Sequence, residues 1–68
     1  MSDWSGYGVK HLRQFLRKYR ADLAHKRAVM DRHLYGTPAY TRAAREAAEL
    51  EARIAAIEAE LERREETQ

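Results

Sequence analysis

The single proline of this chain, Pro38, stands directly after Gly36 and Thr37, and that tripeptide decides most of what the chain can become. Glycine ends helices because it adopts left-handed backbone angles without a Cβ clash. Threonine caps a following helix through its hydroxyl, and proline suits a first helical position, where its missing N–H would find no partner anyway. A helix stop and a helix start are therefore adjacent. No other glycine or proline occurs between Val9 and Glu66. Upstream of the tripeptide, apolar residues recur at Val9, Leu12, Leu16, Tyr19, Leu23 and Met30; downstream they recur at Tyr40, Ala43, Ala47, Leu50, Ile54, Ile57 and Leu61. Steps of three and four place each set on one helical face. The expected fold class is all-α, an antiparallel two-helix hairpin of coiled-coil type. Its helices cover about residues 9–35 and 38–65 with a turn at 36–37, and residues 1–8 form a flexible arm that carries Trp4 and Tyr7 as anchors, with Ser5 as a candidate cap.

A turn at Gly36-Thr37 fixes the register, because residues facing each other should then have numbers summing to about 73. Leu12 then meets Leu61, Leu16 meets Ile57, Tyr19 meets Ile54, Leu23 meets Leu50 and Met30 meets Ala43, each pair one layer of a knobs-into-holes seam. Charge supports the same pairing. Helix 1 is basic and helix 2 acidic, and Arg13, Arg20 and Arg27 repeat every seven residues opposite Glu51, Glu58 and Glu65, with Asp22 near Arg53 on the other flank. Such exposed pairs contribute about 0–1 kcal/mol each, so they select orientation and register more than they stabilise. Lys26 and His33 interrupt the seam; Lys26 is expected to extend its ammonium to Glu46 or Glu49 beside the small Ala47.

Sixty-eight residues hide little more than half of their unfolded surface, and an isolated hairpin of this size is marginal once ordering costs are counted. Association with another surface would supply the missing burial. Helix 2 offers one in a second apolar stripe of Ala48, Ala52, Ala55 and Ala59, joined by Ala56; Phe15, Val29 and Leu34 lie off the main seam of helix 1 and also need cover. The residues expected at a protein interface are therefore Phe15, Val29, Ala48, Ala52, Ala55 and Ala59, with Trp4 and Tyr7 from the arm. The remaining face of helix 1 is basic. Lys10, Arg17, Lys18 and Arg32 on it, with His11 and His25, are candidates for contact with nucleic-acid phosphates or an acidic protein.

Several chemistries find no support in the pattern. With no cysteine there is neither a disulfide nor a thiolate zinc site. His11 and His25 stand about 21 Å apart along one helix at about 1.5 Å per residue, too far to share a metal. A thin helix pair has no concave pocket in which a carboxylate becomes an acid or base, and no nucleophile is paired with a base. Catalytic residues, cofactors and metals are therefore not expected. Neither a membrane span nor a signal peptide is apparent, so a cytoplasmic protein is expected, without membrane association. The leading expectation is a non-enzymatic protein-interaction module: a small self-associating structural subunit, with a homo-oligomer expected, or an adaptor or inhibitor docking on a larger protein. The alternative is sequence-nonspecific nucleic-acid binding through helix 1. In architecture alone the hairpin resembles small phage-encoded assembly and counter-defence proteins, short antitoxin-like regulators and tRNA-synthetase arms; that resemblance implies no residue role.

Overall fold

The computed structural model describes residues 4–66. They form two helices, α1 (Val9–Asp31) and α2 (Pro38–Glu66), folded into an antiparallel hairpin that measures 47 × 19 × 17 Å. The turn is built from local chemistry. Thr37 caps α2, its Oγ1 accepting from the Tyr40 N–H at 3.2 Å and donating to the Leu34 carbonyl at 2.8 Å, while its own N–H donates to the same carbonyl at 3.2 Å. Leu34 to Thr37 thus close a β-turn whose third residue, Gly36, has φ +88°. That is the position at which a type II turn demands a positive φ.

α1 stops at Asp31, four residues before the Tyr35 at which the periodicity places its end. Arg32 and His33 turn instead to the carbonyls of Val29 and Met30, at 3.1 and 3.2 Å, a tightening common at helix ends. Met30 is the last seam residue of α1 with cover; His33, Leu34 and Tyr35 are exposed, so nothing packs against a further helical turn.

Eight of the described residues are buried: Leu12, Leu16 and Leu23 from α1, and Ala43, Ala47, Leu50, Ile54 and Ile57 from α2. All lie on the two predicted stripes. Leu12 and Ile57 are wholly enclosed, and Trp4, Phe15, Tyr19, Met30 and Leu61 pack half-buried around the cluster. Ala43 and Ala47 are the buried residues of α2 next to the turn, and the large buried residues lie farther from it.

At the open end a short turn precedes α1. The Tyr7 N–H donates to the Trp4 carbonyl at 3.3 Å, which sets the Trp4 ring 5.7 Å from both Tyr7 and Phe15 and 6.3 Å from Tyr19. Arg64, near the end of α2, donates to the carbonyls of Trp4 at 3.3 Å and Ser5 at 2.9 Å. The segment before α1 is therefore tied to both helices. The residue that caps α1 is Gly8, through its backbone alone, and not Ser5, because the Trp4–Tyr7 turn places Ser5 beyond the helix start.

Candidate interaction surfaces

The flanks of the seam are ionic, and they pair within the chain. Arg20 meets Glu58 at 2.9 Å and Arg27 meets Glu51 at 3.1 Å, two of the three matches expected from the heptad repeat; no ion pair joins Arg13 to Glu65. On the opposite flank Lys26 reaches Glu46. Its hydrogen bond and charge hold the Glu46 carboxyl below the usual value of 4.5. Arg53 lies over the Tyr19 ring, 5.7 Å from its centroid. It lines a groove of about 380 Å³ floored by Leu50, together with Asp22, His25, Lys26, Glu46 and Glu49. Near the open end Glu60 accepts from Arg63 at 2.6 and 3.0 Å and from Arg64 at 3.0 Å. Those bonds, the Arg63 ones first, hold the Glu60 carboxyl down as well.

This pairing changes the charge balance of the two outer faces. Glu46, Glu51, Glu58 and Glu60 of α2 are all engaged with cations. On α1 the exposed Lys10, Arg13, Arg17, Lys18 and Arg32 make no ion pair with any described residue.

The outer face of α2 is neutral in its centre. Ala48, Ala52, Ala55, Ala56 and Ala59 are all exposed, away from the seam, and the stripe is bracketed by Arg45 and Glu62. The other expected interface residues lie elsewhere. Phe15 is half-buried on the core, with Trp4 against it at 5.7 Å and Tyr7 at 5.2 Å, so these three contact one another. Val29 is half-buried on the same flank of α1, about four turns farther along. The predicted interface residues therefore do not share one surface: Trp4, Tyr7 and Phe15 form an aromatic cluster at the open end, the alanines an exposed face on α2, and Val29 stands apart from both.

Sequence reasoning overlooked two features. Tyr35 is 88 % exposed beside Leu34 at 80 %, and its ring meets that of Tyr40 edge-on at 5.2 Å. The signal was available, since a large aromatic directly before a turn glycine has no helix face to bury against. Ala21, Ala24 and Ala28 are likewise exposed on α1, spaced by three and four as on α2. Among the described residues no three histidine or acidic side chains gather as for a metal, and no helix is long and apolar enough to cross a membrane. No protein-family model, curated protein or solved structure matches the chain.

Proposed function

We propose that the protein is a small interaction module that works by self-association, two copies meeting through the outer faces of their α2 helices. One observation carries this reading: the exposed stripe Arg45, Ala48, Ala52, Ala55, Ala59, Glu62 is self-complementary. Its steps run three, four, three, four, three, the same from either end, with opposite charges at its two ends. A twofold axis between Ala52 and Ala55 lays one α2 antiparallel on another. Ala48 then faces the partner subunit's Ala59, and Arg45 faces the partner subunit's Glu62 at both ends. A closed twofold contact of this kind uses one patch twice and leaves no edge for further growth. Alanine lets helix axes approach closely, and the added burial supplies what a thin hairpin lacks. The exposed end pairs contribute little affinity; they choose the antiparallel sense.

The experiment is a charge exchange read by dimer dissociation constant. Arg45→Glu places glutamates together at both ends of the contact and should weaken the dimer about tenfold, from about 0.5–1 kcal/mol at each end. Adding Glu62→Arg to the same chain should restore it. Equal weakening by the single and double variants, or no effect of either, would overturn the pairing.

A further inference from the structure

We propose that the outer face of α1 binds the phosphate backbone of double-stranded nucleic acid without reading its sequence. Lys10, Arg13, Arg17 and Lys18 lie within nine consecutive residues, a rise of about 12 Å, and at 3.6 residues per turn they fall within an arc of about 140°. That arc points away from the buried Leu12 and Leu16. All four are exposed and none is paired with a described carboxylate, the ion pairs between the helices being made by Arg20, Lys26 and Arg27 instead. The first turn of α1 holds no acid either, so no side chain of that turn offsets the positive end of the helix. A duplex presents about one negative charge per 1.7 Å of axis, or roughly seven along such a stretch.

The chemistry of the face selects among polyanions. A protein partner needs an apolar centre from which water is excluded, and between these cations stand only Gln14, His11 and the exposed alanines farther along. Single strands are held by bases stacked on aromatic rings, and here the rings of Trp4, Phe15 and Tyr19 are engaged with one another. A face of cations alone suits phosphates whose bases are turned inward, as in a duplex.

The test is fluorescence anisotropy of a labelled DNA duplex titrated with the full chain as salt is raised. Four phosphate contacts predict a slope of log affinity against log salt of about −3.6, a loss of about 100-fold between about 50 and 200 mM. The variant Lys10→Gln, Arg17→Gln, Lys18→Gln should retain its helicity and reduce the slope to about −1. Lys10→Arg with Lys18→Arg should bind as the parent chain does, and Arg42→Gln on α2 should change nothing. Four results would overturn the proposal: no binding at low salt, parent-like binding by the triple glutamine variant, equal binding to polyglutamate, and tighter binding to a single strand than to the duplex.

Discussion

Thr37 does the work of three groups in the turn. Its hydroxyl accepts from the Tyr40 N–H and donates to the Leu34 carbonyl, and its backbone N–H donates to that same carbonyl. Thr37→Ala keeps only the last of these and should cost about 1 kcal/mol, read as a lowered urea midpoint at neutral pH. Gly36→Ala meets no neighbour within 4 Å, yet it forces a Cβ onto a residue with φ +88° and should cost a similar ~1 kcal/mol or more. An unchanged midpoint for both would contradict the turn as described. The cap could be read from the sequence because it depends on four neighbouring residues. The start of α1 could not: Gly8 caps it with no side chain, and Ser5 is displaced by the turn that carries Trp4 onto Phe15. That contact joins residues eleven apart, and no local pattern encodes it.

At the scale of the helices, periodicity fixed the buried stripe and charge fixed the flanks, since both follow from which residues share a face. The length of α1 was less legible. His33 continues the seam in sequence, but in space it is exposed, as are Leu34 and Tyr35 after it, so the helix ends where its cover ends. Carboxylates on the flanks give the pair a pH dependence. Glu46 and Glu60 titrate below the usual value of 4.5 because of Lys26 and of Arg63 and Arg64. A carboxyl held down in the folded state contributes stability that is present above its unfolded pKa and lost as pH falls through the lower folded value. The urea midpoint should therefore fall between about pH 5 and pH 3. Glu46→Gln should make that fall shallower, because the glutamine cannot release a proton on folding. A slope unchanged by the substitution would mean that the Lys26 contact does not persist in solution.

As a whole, the described residues form a rod 47 Å long, held by eight buried side chains among them along one seam, with α1 basic outside and the centre of the outer face of α2 neutral. The hairpin was readable in advance because each helix supplies the other's missing surface, and complementary patterns within one chain leave a double trace. The outer faces leave a single trace. Alanine favours helix formation whether or not anything docks on it, so its stripe gains meaning only from the bracketing Arg45 and Glu62. The same asymmetry separates the two proposals, since the contact between copies uses α2 and the contact with duplex phosphates uses α1, leaving both faces available at once.

The measurement closest to the central claim is sedimentation of the purified chain from micromolar to millimolar concentration, with helicity followed by circular dichroism at each point. Self-association through α2 predicts a mass that rises from the 8.0 kDa of one chain towards twice that value and no further, with helicity falling as the dimer is diluted apart. A mass of 8.0 kDa at every concentration, with helicity undiminished, would contradict it.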